Sequence, residues 1–422
     1  MFPPEPQAAI NAQASIITNA DEAASIVLNQ AMQAAAQSTF AVGGAIIENR
    51  TGRVICQMHN NVLKPLASTS KSFTYDPTAH GELQLVYWYY ENKTKLNLPD
   101  EPEQLTIVTT LDPCAMCTGA LLTAGFNVGV IAIDDFAGIN CQENFTFDTL
   151  PQSLRNLAKS KFGYYACGQK DLDPSKYVRD YVGGSNVALQ ETNVSGQRLM
   201  GCSSIFGVSV NQVREDSSDA GLTPDLLLDP ATLSDNSPIK VKYREIYPEA
   251  FKVKIAEPRL PNTELFNLLK KAKDSEPNAK NAVALLDPFG NVILCLPDTF
   301  NLSPVHTAFM NVTRYYATIR FGLMNDAVTQ PEAKEYLTHP KYGTFVFLYA
   351  LNPNEPTTIM TLGAYGSTLE GPVPRILPGN FQYYYPPLEG TIEELRSVIM
   401  NLPKFYTEFV QISVMEVATD IS

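Results

Sequence analysis

Thr78-Ala79-His80-Gly81-Glu82 and, further along, Asp112-Pro113-Cys114-Ala115-Met116-Cys117 are the stretches that decide how this chain is read. One histidine and two cysteines three apart are donors of the kind a catalytic zinc takes, since such a site uses three protein ligands and keeps its fourth position for water. Glu82, two residues after the histidine, adds a carboxylate able to move protons beside that water. A closed zinc staple would need a fourth protein ligand, and no further Cys or His lies close to these three in sequence. Asp76-Pro77 and Asp112-Pro113 each read as a helix N-cap followed by proline at the first helical position. This spacing predicts His80 and Cys114 in the first turns of two helices whose N-termini point at one site. Cys114 and Cys117 would share a helix face, where the positive end of the dipole favours thiolates.

The surrounding pattern alternates helix and strand. Residues 21–37 are rich in helix formers with apolar residues at helical spacing, and predict an opening helix. Phe40 to Ile47 and Arg53 to Met58 read as two strands joined by a turn at Glu48–Gly52. Asn61 to Tyr75 reads as a polar loop, followed by the helix of His80. Leu105 to Thr110 and Val128 to Asp134 are β-rich runs on either side of the Cys114 helix. Strand, helix and strand in that order require a parallel pair with a right-handed crossover, so the expected fold is α/β, a three-layer α/β/α domain with its site at the strand ends.

These residues carry a resemblance. GGAIIENRTGRVICQMHNN from Gly43, DPTAHGEL from Asp76 and TIVTTLDPCAMCTGALLTAGF from Thr106 are similar to the cytidine and deoxycytidylate deaminase superfamily over about residues 20–150, and the H-x-E and P-C-x-x-C elements match the signature of zinc deaminases. Within it, the arrangement most resembles the branch of fungal cytosine deaminases, bacterial guanine deaminases and tRNA adenosine deaminases. The resemblance implies a cytidine-deaminase-like fold and Zn2+ as cofactor, with His80, Cys114 and Cys117 as metal ligands, Glu82 as the catalytic proton shuttle and Asn60 as a substrate-binding residue. It further implies a hydrolase acting on C–N bonds of cyclic amidines, converting an amino-substituted nucleobase or nucleoside to the keto form with release of ammonia. A polynucleotide deaminase and a catalytically silent zinc-bearing scaffold are the alternatives. Two departures leave the base unassigned. The Asn61–Tyr75 loop is longer than in the cytosine enzymes, and Asp134–Asp148, at whose start Asp134 and Asp135 are candidate pocket residues, matches no member of the branch.

Composition bears on the choice. Among 422 residues, the net charge of −13 would repel a phosphate backbone, and no basic run offsets it, so a small-molecule substrate is expected rather than nucleic acid. Seven cysteines, odd in number and scattered, indicate a reducing, cytoplasmic setting. The first residues have no basic stretch followed by an apolar core, and no apolar run is long enough to span a membrane, so neither export nor a membrane partner is expected.

The second half repeats the first. NTELFNLLKKAKDSEPNAKNAVALLDPFGNVILC, from Asn262, gives helix, strand, turn and strand again, and SPVHTAFMNVTRYYA aligns with PTAHGELQLVYWYYE, placing His306 at the position of His80 and Ala308 at that of Glu82. Matching Leu351-Asn352-Pro353 to Leu111-Asp112-Pro113 puts Asn354 and Thr357 at the cysteine positions. The expected organisation is an active zinc deaminase domain over residues 1–200, an irregular connector over 201–246 and a degenerate deaminase-like domain lacking zinc ligands over 247–422. The whole would form a tandem repeat and internal pseudo-dimer, with a homo-oligomer also open to it. Thr391 to Glu394 reads as a capping box opening a late helix, and Tyr383–Pro387 as an inter-domain packing segment.

Overall fold

The computed structural model describes residues 15–133, 137–140, 146–165, 186, 188–216, 221–256, 262–367, 381–407, 410 and 412–414. Asp134 and Asp135 lie outside them. The first half runs α1 (Ala20–Ala36), β1 (Gly43–Glu48), β2 (Val54–His59), a small hairpin of β3 (Leu63–Pro65) and β4 (Ser72–Thr74), α2 (Gly81–Asn92), β5 (Leu105–Leu111), α3 (Ala115–Ala124), β6 (Asn127–Ala132), α4 (Gln152–Lys161), β7 (Phe162–Tyr164) and α5 (Gly196–Asp216). Strand order is β2-β1-β5-β6-β7, with β1 antiparallel to β2 and β5, and β5, β6 and β7 parallel. β5 and β6 are buried along their whole length, as strands covered on both faces must be.

After α6 (Pro238–Ile246), the second half runs α7 (Thr263–Asp274), β8 (Ala282–Leu286), β9 (Val292–Pro297), α8 (Ala308–Asn325), α9 (Gln330–Tyr336), β10 (Thr344–Tyr349), α10 (Pro356–Ser367), β11 (Phe381–Tyr385), α11 (Ile392–Asn401), α12 (Lys404–Thr407) and β12 (Ile412–Val414). Its sheet has the order β12-β11-β10-β8-β9, the same topology a second time. The match extends to irregularities. Each antiparallel hairpin shifts register once, between Ile46 and Ile47 and between Leu285 and Leu286. Each turns on a glycine of positive φ, Gly52 at 73° and Gly290 at 84°. A Cβ at either glycine would stand 1.9 or 2.0 Å from the carbonyl oxygen of Ile17 or Ile255, so both the backbone angle and the close approach exclude other residues.

Helices cover both faces of each sheet. In the first copy α1 and α5 pack one face through Ala24, Val27, Ala45, Val108, Leu199 and Cys202, whereas α2 and α3 cover the other. That inner layer merges with its counterpart in the second copy, and Leu85, Met116, Ala120, Ile359, Met360 and Phe345 belong to one core. At its centre α3 and α10 cross glycine on backbone. Gly119 faces Met360 N and Gly363 faces Met116 N. The same offset in sequence relates both pairs, so the crossing has approximate two-fold symmetry. Carried to the ligands, that offset places Thr358 and Thr361, not Asn354 and Thr357, where Cys114 and Cys117 stand. The sequence alignment slipped because the loop ahead of α10 is longer and its Pro353 imitates Pro113.

Two further expectations change. The connector over 201–246 is not irregular throughout, since α5 carries helix to Asp216 and α6 adds more. The serines and glycines of α5 lower its intrinsic propensity, but its packing against α1, Gly201 on Leu28 among others, overrides that. Tyr383 and Tyr384, read as inter-domain packing, lie in β11 inside the second sheet.

Candidate active site

The site lies at the ends of β2 and β5, where α2 and α3 begin. His80 and Cys114 are not in first turns as expected. Each is the N-cap of its helix, with extended backbone at φ −67°, ψ 150° and φ −64°, ψ 171° respectively. Asp76 and Asp112 therefore cap neither helix and hold the approach loops instead. Asp76 Oδ1 accepts from Thr78 N and Oγ1 at 2.8 and 2.7 Å. Asp112 accepts from Tyr164 Oη at 2.6 Å and from Asn140 N at 2.7 Å. The N-cap placement explains how His80 and Glu82, two residues apart, face one point: one side chain projects beyond the helix end while the other hangs from its first turn.

His80, Cys114 and Cys117 bring their donor atoms within 4.8 Å of one another. The Cys114 Sγ to His80 Nδ1 separation is 3.6 Å. A tetrahedral zinc with Zn–S of about 2.3 Å and Zn–N of about 2.05 Å requires that distance to be about 3.6 Å, so the donor set fits the ion in both chemistry and spacing. Among the described residues no other group of His, Cys, Asp or Glu meets this condition.

Glu82 is 3% exposed and lies beside this set. Its Oε1 accepts from Thr109 Oγ1 at 3.0 Å, and Cys117 Sγ donates to Oε2 at 3.5 Å. Burial and then the Cys114 thiolate push the Glu82 carboxyl above its ordinary range, against the His80 charge and the Thr109 hydrogen bond. The Cys117 hydrogen bond, followed by the charge of His80, holds the Cys114 thiol well below its usual value despite burial. Burial raises its neighbour Cys117 well above. Burial works against a charged His80, but the Cys114 thiolate outweighs it and raises the imidazole pKa.

Asn60 is 1% exposed at the end of β2. Thr39 Oγ1 and Val62 N donate to its Oδ1 at 2.7 and 3.0 Å, which orients the amide. The loop behind it is tied to α2, with Asn61 N on Ala79 O at 2.9 Å and Gln84 Nε2 on His59 O at 2.6 Å. His59, expected in a loop, is the last residue of β2, and its Nδ1 meets Gln30 Oε1 at 3.1 Å. Sequence reasoning missed Thr109, which nothing in the pattern of β5 distinguishes from Thr106 or Thr110.

Residues 18–133 match the cytidine and deoxycytidylate deaminase zinc-binding region. This stretch carries the zinc-binding region of that family. The two-copy α/β architecture is accordingly a cytidine-deaminase-like fold repeated, and zinc is the ion to which the His/Cys/Cys set corresponds. No curated protein matches the chain. Among solved structures, one from work on A-to-I editing by tRNA:A34 deaminases at the wobble position of transfer RNA is 23% identical over 28% of this chain and 80% of that chain, with a TM-score of 0.22. The guanine deaminase from Nitrosomonas europaea is 16% identical over 47% of this chain and 89% of that chain, with a TM-score of 0.30. No helix among the described residues is long and apolar enough to cross a membrane.

Proposed function

We propose that the first copy is a hydrolytic deaminase that converts an amino-substituted nucleobase or nucleoside to its keto form with release of ammonia. The observation that carries this reading is the buried Glu82 carboxylate beside a three-donor metal set. A closed structural site has no use for such a group. His80, Cys114 and Cys117 would hold the zinc, which when bound supplies Lewis acidity and lowers the pKa of water to about 7.

The chain's own residues do the rest. Glu82, its carboxyl poised upward by burial, takes a proton from the attacking water and delivers it to the ring nitrogen next to the carbon losing its amine, then assists the departure of ammonia. Thr109 fixes one oxygen so that the other faces the reaction. Asn60, with its carbonyl oxygen engaged by Thr39 and Val62, offers its Nδ2 to an acceptor on the base. The acidic balance of the chain favours a free base or nucleoside over a polynucleotide. All five described cysteines are unpaired, as befits a reducing, cytoplasmic compartment. The second copy would act as an internal partner, making the chain a pseudo-dimer about the α3–α10 crossing.

The test is ammonia release from cytosine, guanine, adenine, their nucleosides and deoxycytidylate by the zinc-loaded protein. One substrate should be turned over, and Glu82→Ala should lower kcat by about 10²- to 10⁴-fold while retaining zinc. Turnover undiminished by that substitution would sink the mechanism, and inactivity across the whole panel with zinc bound would favour the silent scaffold.

A further inference from the structure

Sequence alignment sets His306 against His80, but Thr307 is the N-cap of α8 as His80 is of α2, and His306 O accepts from Thr299 N as Ala79 O accepts from Asn61 N, so His306 stands in register with Ala79 and the structure gives it other work. His306 is 4% exposed and Arg314, about two turns into α8, is 5% exposed. Arg314 Nη1 lies 3.5 Å from His306 Nε2. A guanidinium only donates, so Nε2 is the acceptor and the imidazole proton resides on Nδ1, which meets Ser303 Oγ at 2.5 Å. Tyr87 of α2 closes over both groups, its ring 4.8 Å from the imidazole and 4.0 Å from the guanidinium carbon.

On its other side, Arg314 reaches into the first copy. Its Nε donates to Asp76 Oδ2 at 3.2 Å, with the two side chains 6% and 7% exposed. The second Asp76 oxygen accepts from Thr78 N and Oγ1, and the turn closes through Ala79 N on Asp76 O at 3.0 Å and His80 N on Thr78 O at 2.8 Å. A buried polar chain therefore runs from Ser303 through His306, Arg314, Asp76 and Thr78 to His80. It joins the turn ahead of α8 in one copy to the turn ahead of α2 in the other.

This matters because α2 begins only at Gly81, so the helical ladder reaches the turn that presents His80 only through Gln84 N on His80 O at 3.0 Å. Besides the Asp76 side-chain bonds, its anchors include Asn61 N and Gln84 Nε2 on Ala79 O and Asp76 N on Val62 O. The guanidinium holds the Asp76 carboxylate, and Asp76 holds the turn. Groups bonded directly to a metal's ligands set their orientation, and their loss typically weakens metal binding about 10- to 100-fold; Arg314 acts through Asp76 and Thr78, so the lower end of that range applies.

We propose that Arg314, oriented by His306, is a positioning residue for the metal site of the first copy. The second copy thereby supplies a brace that keeps His80 Nδ1 in register with the two thiolates. The inference rests on reading His80 as a zinc ligand.

Zinc affinity of the full chain by competition with a chromophoric chelator, together with the absorption of the cobalt(II)-substituted protein, tests it. Arg314→Met should bind zinc about 10-fold more weakly than wild type, and its cobalt d–d bands should lose intensity as the imidazole leaves a tetrahedral set. Arg314→Lys, which keeps a cation for Asp76, should recover most of both, and His306→Phe should show a smaller loss in the same direction. Wild-type affinity and an unchanged cobalt spectrum in Arg314→Met would overturn the proposal whatever its thermal stability. If that variant does not fold, wild-type affinity and spectra in both Arg314→Lys and His306→Phe would do so. A wild-type chain that binds no zinc, or whose binding survives Cys114→Ser, would instead overturn the reading of the site itself.

Discussion

Gly363→Ala probes the joint between the two copies and the metal site at once. A Cβ at 363 would stand 2.0 Å from Met116 N and 2.7 Å from Ala115 C and Met116 Cα. All three are backbone atoms held by their own helix, so relief requires the α3 and α10 axes to part by about 1 Å or more to restore contacts of about 3.5 Å. Alanine gains about 1 kcal/mol over glycine in a helix. Overpacking costs about 1–3 kcal/mol, and a backbone-on-backbone clash belongs at the upper end. The net is a destabilisation of about 2 kcal/mol, or about 4–8 °C in Tm for units of this size. Because the obstructed atoms lie in the first turn of α3, between Cys114 and Cys117, zinc affinity should fall as well. Gly119→Ala is the matched control. Its Cβ would meet Met360 N at 2.3 Å and Pro356 O at 2.5 Å, so it strains α10 and should lower Tm with less effect on zinc. Calorimetry and chelator competition on both variants read the two effects separately. A Gly363→Ala protein with wild-type Tm would refute the packing argument, and equal zinc affinities in the two variants would refute its coupling to the site.

Asn60→Ala should lower kcat/KM for the substrate found by the deamination panel about 10-fold, the worth of one hydrogen bond, mainly through KM; an unchanged KM would remove Asn60 from substrate binding. Asp298, at the register position of Asn60 in the second copy, accepts from the backbone of Lys280, Asn281 and Ala308. Burial nevertheless pushes its carboxyl up to about 6 from an ordinary value near 3.8. With the folded value raised, both states are protonated below about pH 4, stability falls as pH rises from about 4 to about 6, and the penalty is constant above that at about 3 kcal/mol. Asp298→Asn removes this ionisation. The stability of the variant relative to wild type, from denaturant unfolding, should therefore rise by about that amount between pH 4 and pH 6, and a flat difference would contradict it.

The sequence by itself determined the donor types and the order of the elements. His80, Cys114, Cys117 and Glu82 could be named because zinc chemistry restricts side chains to a few kinds at fixed local spacing. The alternation of periodicities is likewise local, and it marked β1, β2, α2, β5, α3 and β6 within a few residues. Only the tertiary structure decided what depends on long-range contact. Asp76 looked like a helix cap; it is a brace because Arg314, far along the chain, reaches it. Thr358 and Thr361 occupy the cysteine positions because two glycines let α3 and α10 cross at backbone distance, and loop length hid that register from any alignment. Thr109 became the partner of Glu82 only when β5 was set beneath α2. The physical reason is common to all three: spacing along a chain encodes what a helix or strand does to its own neighbours, whereas which buried groups meet is fixed only when separate elements pack.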